Sequence, residues 1–108
     1  MRKLRAGTRA TTALVAALSL VASTAWAQDQ ARIAAGERVY TTFCAPCHGE
    51  ELVSTGQTFD LRRLKAEDRV RFDNSVRNGK NQMPPWRGVL NDQQIDSIWA
   101  YIRSVADR

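Results

Sequence analysis

The segment FCAPCHGE, residues 43–50, contains both cysteines and the only histidine of the 108-residue chain. Two thiols, Cys44 and Cys47, are separated by two residues, and His48 follows the second thiol directly. Thiols at this spacing bind a metal, exchange disulfides or attach a prosthetic group, and each use requires a different fold around the motif. The rest of the sequence therefore has to be consistent with one of these chemistries.

The first 27 residues have the pattern of a signal peptide. Four basic residues and no acidic one occur in the first ten positions, and the next twelve positions are apolar or small and uncharged. Ala25 and Ala27 form the small-x-small site of a signal peptidase. An apolar stretch of about 12 residues is shorter than the roughly 20 that span a membrane. We expect a cleaved signal peptide at 1–27, cleavage after Ala27, export to the periplasm and no stable membrane anchor.

Residues 28–108 are expected to form one domain. Four of the 16 basic residues belong to the leader and all 11 acidic residues follow it, which leaves 12 basic against 11 acidic residues and a net charge of +1. A nucleic-acid-binding domain needs an excess of basic residues on one face, so no nucleic-acid partner is expected. A domain this small buries a modest core and needs a metal, a disulfide or a large cofactor for stability.

Hydrophobic spacing predicts helices at both ends of this domain. Apolar and small residues share one helical face in 31–42, and a shorter helix is predicted for 66–78, ending at Gly79. Asn91 and Gln94 have the spacing of a capping box at the start of a C-terminal helix. The domain is therefore predicted to be all-α.

Two segments between the helices are predicted to be loops, 49–64 and 80–90, because they contain most of the glycines and prolines that follow the motif. An all-helical domain with two long loops is difficult to stabilise unless the loops wrap around a bound group.

The three uses of the cysteine motif can now be compared. A closed zinc site needs four ligands, whereas residues 28–108 offer two Cys and one His unless a carboxylate or water completes the set. A thioredoxin-like dithiol requires alternating strands and helices around the motif, and no such pattern is present. Cys-x-x-Cys-His is the attachment signal for haem c, in which both thiols add to the haem vinyl groups and His48 ligates the iron. We expect one covalent haem c bound by Cys44, Cys47 and His48.

A second axial ligand is predicted at Met83, the only methionine outside the leader. It lies in the segment NQMPPW, where Pro84 and Pro85 restrict the backbone. A methionine that fills a gap in a helical core fits this loop context less well. Thioether ligation opposite histidine raises the potential of a haem. The predicted metal ligands are His48 and Met83.

With these motifs in place, residues 31–106 resemble a class I cytochrome c. The order of a first helix, the haem motif, a loop, a middle helix, a Met-Pro loop and a last helix matches that family over nearly the whole domain. The resemblance implies the cytochrome c fold, with three to four helices and long loops around one haem. It also implies that Gly36 and Tyr40 of the first helix meet an aromatic residue of the segment Trp99-Ala100-Tyr101.

The chain departs from the family pattern in the sequence that follows the histidine. Class I cytochromes commonly have a proline there whose carbonyl accepts the histidine ring N–H, yet no proline lies between Pro46 and Pro84. We expect a carbonyl of residues 58–61 to take this place. Arg62, Arg63 or Trp86 are candidate donors to the haem propionates, and the alternative for the two arginines is plain exposure to solvent. The apolar residues expected to line the haem pocket are Phe43, Val53, Phe59, Leu61, Leu64, Phe72, Val76, Leu90 and Ile98.

The function implied by this resemblance is that of a periplasmic one-electron carrier, not an enzyme. The segments FDLRR and NSVRNGKNQMPPW are similar to short cytochromes and fused haem domains that serve quinoprotein (PQQ) dehydrogenases or supply terminal oxidases. Donor and acceptor are expected to bind transiently, through small contact areas. The alternative is a haem sensor or peroxidase-like protein in which Met83 does not bind the iron and one axial position stays open.

Overall fold

The computed structural model describes residues 7–108, with side chains from residue 18 onward. Arg2, Lys3 and Arg5 of the expected leader lie outside the described residues. The chain divides into two compact units after Ala31.

The first unit is helical wherever it is described, as part of helix α1 (Gly7–Phe43). Leu18, Leu20, Val21 and Trp26 expose their apolar side chains there. Among the described helices, none combines the length and hydropathy that crossing a membrane requires.

The second unit, from Arg32 onward, is all-α, which confirms the fold class predicted from the sequence. Within residues 7–108 no strand forms, and only two isolated β-bridges occur, Lys80 with Met83 and Arg87 with Leu90. The elements that follow α1 are helix α2 (Ala45–His48), 3-10 turns at Glu50–Leu52, Leu61–Arg63 and Ala66–Asp68, helix α3 (Arg69–Asn78) and helix α4 (Asp92–Ala106).

Local side-chain hydrogen bonds explain where α3 and α4 begin. Asn91 Oδ1 accepts from the Gln94 N–H at 2.8 Å and Gln94 Oε1 from the Asn91 N–H at 2.9 Å, which is the predicted capping box. The expected helix over 66–78 begins later, as α3 at Arg69. Asp68 Oδ2 accepts from the Lys65 N–H at 2.8 Å and closes a 3-10 turn ahead of the helix.

The C-terminus of α3 has the predicted glycine stop. Gly79 has a φ of 75°, and its N–H donates to Ser75 O at 2.9 Å. This positive φ is unstrained only for glycine, so the chain leaves the helix at this position.

Helices α1 and α4 approach closely at Gly36. A Cβ atom added at Gly36 would lie 1.8 Å from Ser97 O, a distance that no side chain tolerates. Close to this contact Tyr40 is fully buried and its ring centroid lies 5.4 Å from that of Tyr101. The expected contact between the first and last helices is therefore present, and Tyr101 is the aromatic partner. Trp99 packs on Phe72 instead, at 5.1 Å.

Gly36→Ala tests the crossing of α1 and α4. Helix propensity alone favours alanine by about 1 kcal/mol. The clash with the Ser97 carbonyl should outweigh this gain and lower the free energy of unfolding by about 1–3 kcal/mol in guanidinium titrations. The control is Ala34→Gly on the exposed side of α1, which should lose only about 1 kcal/mol. A Gly36→Ala protein as stable as the parent would contradict the close approach.

Candidate functional site

A cavity of about 1130 Å³ lies within the second unit. Its walls come from the end of α1, from α2, from the loop before α3, from α3, from the Met83 loop and from α4. The volume exceeds the roughly 300–1,000 Å³ of most small-molecule sites. Cys44, Cys47, His48 and Met83 all line this one cavity.

The cysteine motif lies at the junction of α1 and α2. The Cys44 N–H donates to Tyr40 O and the His48 N–H to Cys44 O, both at 2.8 Å, so helical hydrogen bonding holds the whole motif. The chain then turns away at Gly49, whose φ is 93°, where a Cβ atom would meet Val53 O at 1.8 Å. The buried Tyr40 hydroxyl donates to Gly49 O at 2.7 Å and fixes this exit from α2.

The environment of the Cys44 thiol differs from that of a reactive cysteine. Burial, and then the charge of Cys47, raise the pKa of the Cys44 thiol to about 12. Reactive dithiols have one thiol with a lowered pKa, so Cys44 is not prepared for disulfide exchange. Within residues 18–108, moreover, no three His, Cys, Asp or Glu side chains converge as a metal site.

His48 is oriented through its Nδ1 atom. Nδ1 lies 3.1 Å from Phe59 O and 3.1 Å from Thr58 Oγ1, while the Thr58 hydroxyl donates to Cys47 O at 3.0 Å. Because the Thr58 proton is used in that bond, its oxygen accepts, and Nδ1 carries the imidazole proton shared between Phe59 O and Thr58 Oγ1. Burial lowers the pKa of His48, although the bond to Phe59 O opposes the shift. Nε2 is therefore the nitrogen available to ligate a metal.

The expected acceptor among residues 58–61 is thus the Phe59 carbonyl. The part played by the Thr58 side chain was not anticipated, because hydrogen bonding between a loop residue and the motif depends on how the loop folds back. No pattern in the sequence encodes that return.

The Met83 loop is tied to α3 by backbone hydrogen bonds. Lys80 and Met83 bond to each other in both directions, at 3.1 and 2.9 Å, and the Trp86 N–H donates to Val76 O at 2.8 Å. Gly79 packs against the same turn, since a Cβ atom there would lie 2.7 Å from Met83 O. The half-buried Met83 side chain is therefore held at the cavity from both sides of the turn.

Most of the expected pocket residues do line the cavity. Two do not: Val53 is 59% exposed, and Leu90 is buried in the core beside the helices without lining the cavity. Val53 points outward because the chain turns at the 3-10 turn Glu50–Leu52, which buries Leu52 in its place. The expected residues found in the cavity wall are Phe43, Phe59, Leu61, Leu64, Phe72, Val76 and Ile98.

The basic residues at the cavity differ from those expected. Arg62 donates to Glu51 O at 3.1 Å, and neither it nor Arg63 lines the cavity. Both belong to the 3-10 turn Leu61–Arg63, which directs Leu61 inward. Trp86 does line the cavity, as expected, and so do two cations that the sequence analysis did not single out, Arg71 and Lys80.

Comparison with known proteins identifies the class to which this fold and cavity belong. The sequence model of the family described as "Cytochrome C oxidase, cbb3-type, subunit III" matches residues 31–102. This is a family of c-type cytochrome domains, and the match covers every residue that lines the cavity. No solved structure matches the chain.

Individual relatives agree with this class. Cytochrome c6 of a Synechococcus species is 34% identical over 98 residues, which cover 82% of this chain and 86% of the relative. Cytochrome c6 of a Nostoc species is 34% identical over 67% of this chain and 69% of its own length. A quinohemoprotein alcohol dehydrogenase, ADH-IIG, of Pseudomonas putida is 34% identical over 72% of this chain but only 11% of its own length.

The chain belongs to the class I cytochromes c. It is an electron-carrier haem protein with one covalently bound haem c. The cavity fits such a group, because its wall is largely apolar and supplies two thiols, an imidazole nitrogen and a thioether from Cys44, Cys47, His48 and Met83.

Gly79→Ala tests how the Met83 loop is held. A non-glycine residue at a positive φ costs about 1–3 kcal/mol, and here the new Cβ also meets Met83 O at 2.7 Å and Pro85 N at 2.9 Å. The matched control is Gly88→Ala, at a φ of 83° with no atom within 4 Å of the new Cβ. We expect Gly79→Ala to lower the free energy of unfolding more than Gly88→Ala does. Equal losses in guanidinium titrations would show that the packing at Gly79 contributes nothing.

Proposed function

We propose that the protein is an exported one-electron carrier whose haem is attached through Cys44 and Cys47 and ligated by His48 and Met83. The observation that carries this proposal is that these four side chains, separated by up to 39 positions in sequence, line a single cavity. When bound, the haem iron takes up and releases one electron between Fe(III) and Fe(II).

The roles of the attachment residues follow from their helical context. Cys44 and Cys47 form the two thioether bonds, and the helical turn between them carries His48 to the same cavity. Thr58 and Phe59 hold the imidazole with its proton on Nδ1, which presents Nε2 as the ligand and increases its donor strength. These residues orient the ligand before any electron is transferred.

Met83 would hold the iron through its thioether, from the loop that follows α3. Its thioether raises the reduction potential relative to a stronger donor. The hydrogen-bonded turn with Lys80 and the two prolines after Met83 limit motion of the loop and would keep the thioether at the iron. If His48 and Met83 both hold the iron, the chain would bind no substrate there and would act as a carrier, not as an enzyme.

The proposed partners are redox proteins that bind transiently. The relatives support a quinoprotein dehydrogenase as donor or a terminal oxidase as acceptor, since one relative is a quinohemoprotein alcohol dehydrogenase and the matching family is described as an oxidase subunit. Small contact areas, below about 1,200 Å² in total, permit the rapid release that a carrier needs.

The proposed mature protein comprises residues 28–108 and functions in the periplasm. The basic start, the apolar segment and the Ala25-x-Ala27 site support a leader that is removed after Ala27. The intact mass of the exported holoprotein reports both the cleavage point and the covalent haem, because each changes the mass independently.

Met83→Ala tests the axial assignment and, with it, the carrier function. Removing the thioether should lower the reduction potential, abolish the weak far-red charge-transfer band of Met-ligated Fe(III) and permit carbon monoxide to bind the reduced protein. The matched control is Gln82→Ala, a change in the neighbouring residue that leaves the thioether in place. It should retain the band and resist carbon monoxide.

The outcome that would overturn this assignment is a parent protein that lacks the far-red band and binds carbon monoxide rapidly. An iron site open in this way would favour the haem sensor or peroxidase-like alternative. Visible absorption spectra of the parent and both variants, each recorded oxidised, reduced and with carbon monoxide, separate the two functions.

Thr58→Val tests the orientation of His48. Valine has nearly the shape of threonine but cannot accept from Nδ1, so the imidazole should become a weaker donor and Fe(III) should be less stabilised. A hydrogen-bond free energy of about 1 kcal/mol corresponds to a shift of roughly 40 mV in a one-electron reduction potential. We therefore expect the reduction potential to rise by up to that amount. Thr55→Val, in an exposed part of the same loop, is the control. Equal potentials in both variants, measured by voltammetry, would assign the orientation to Phe59 O alone.

A further inference from the structure

Three side chains line both the large cavity and a second, smaller cleft. The cleft has a volume of about 300 Å³ and follows the C-terminal part of α3; its walls are Arg71, Asn74, Ser75, Asn78, Gly79 and Lys80. Arg71, Ser75 and Lys80 belong to both linings. Two cations and a hydroxyl group therefore meet at the border between the haem cavity and the surface.

The charge at this border is uncompensated. No Asp or Glu lines the cavity or the cleft, and within residues 18–108 neither Arg71 nor Lys80 forms an ion pair. Other arginines of α3 are paired: Arg69 bonds to Asp73 at 2.9 Å, and Arg77 to Asp92 at 2.6 Å. The unpaired cation of α3 is the one that reaches the cavity.

Each of the two cationic residues is positioned by a contact with a neighbouring part of the chain. The Arg71 guanidinium lies 4.8 Å from the centroid of the Phe59 ring, a cation–π contact with the residue whose carbonyl accepts from His48. Lys80 is held through its backbone by the paired hydrogen bonds to Met83. Arg71 thus contacts the loop that orients His48, and Lys80 belongs to the turn that contains Met83.

We propose that Arg71 and Lys80, assisted by the Ser75 hydroxyl, bind a propionate carboxylate of the haem. This assignment rests on the proposed function, because it requires a haem in the cavity. A carboxylate that leaves water needs charged or hydrogen-bonding partners, and a guanidinium and an ammonium provide the strongest of these. Since one carboxylate then contacts both α3 and the Lys80–Met83 turn, it also ties the Met83 loop to the helix.

The test compares Arg71→Gln and Lys80→Gln with Arg63→Gln. Arg63 is the matched control because its charge is also near Phe59, at 6.0 Å from the ring, but it lines neither the cavity nor the cleft. Resonance Raman spectra of the purified holoproteins report the propionate bending band, and voltammetry reports the potential. Arg71→Gln and Lys80→Gln should each shift the band and lower the potential, because an uncompensated carboxylate stabilises Fe(III). Arg63→Gln should leave the band unshifted.

The conservative variant Arg71→Lys separates hydrogen bonding from charge. It should keep the potential closer to that of the parent than Arg71→Gln does, yet still shift the band, because lysine lacks the planar fork of arginine. An unshifted propionate band in both glutamine variants, or an equal shift in Arg63→Gln, would overturn the assignment.

Failure of the proposed function is distinguishable from failure of this site. A parent protein without covalent haem would remove both, whereas a parent with covalent haem but without the far-red band would remove the Met83 ligation and leave the propionate assignment to be tested by the propionate band. A parent with covalent haem and the band, but with propionate signals insensitive to Arg71 and Lys80, would remove the propionate assignment alone.

Discussion

The close contact between Gly36 and the Ser97 carbonyl is the constraint on which the rest of the second unit depends. It brings α1 and α4 together without intervening side chains, so that Tyr40 packs on Tyr101 in the core. Since α1 ends immediately before the cysteine motif, this crossing also determines where the motif meets Ile98 and Ile102, the α4 residues in the cavity wall. The backbone contact between two helices therefore positions the chemistry at their ends.

The two loops that line the cavity are held by hydrogen bonds to the helical segments beside them. One loop returns to His48 through Thr58 and Phe59, and the other forms the turn at Met83 and bonds back to α3. Beyond short turns and bridges, neither loop contains regular secondary structure. Even so, the first loop presents the hydrogen-bond acceptors of the His48 ring, and the second presents Met83, the other proposed iron ligand. In a domain of this size a covalently bound haem supplies apolar contacts that the helices alone do not provide. Attachment of the group and order in the loops are thus expected to reinforce each other.

Much of the fold and part of the site could be predicted from local patterns. Three features depend only on residues close in sequence and can therefore be recognised from the sequence alone. They are the capping box at Asn91, the glycine stop at Gly79 and the attachment motif. Arg71 and Lys80 were not singled out from the sequence, and Arg62 and Arg63 were considered instead, because the arginines of a mixed-charge segment cannot be distinguished until the turns around them are known. The direction of one 3-10 turn sends Leu61 into the cavity and leaves Arg62 and Arg63 outside it.

The sequence by itself determined the inventory: one histidine, two cysteines at attachment spacing, one methionine beyond Met1, and three helices whose periodicity is independent of their packing. Composition and spacing are properties of the chain, so they specify the class of haem protein without coordinates. Only the tertiary structure decided which carbonyl and hydroxyl face His48, which cations border the cavity and which aromatic residue meets Tyr40. Those outcomes depend on contacts between segments far apart in sequence, where a turn of a few residues selects which side chain faces inward.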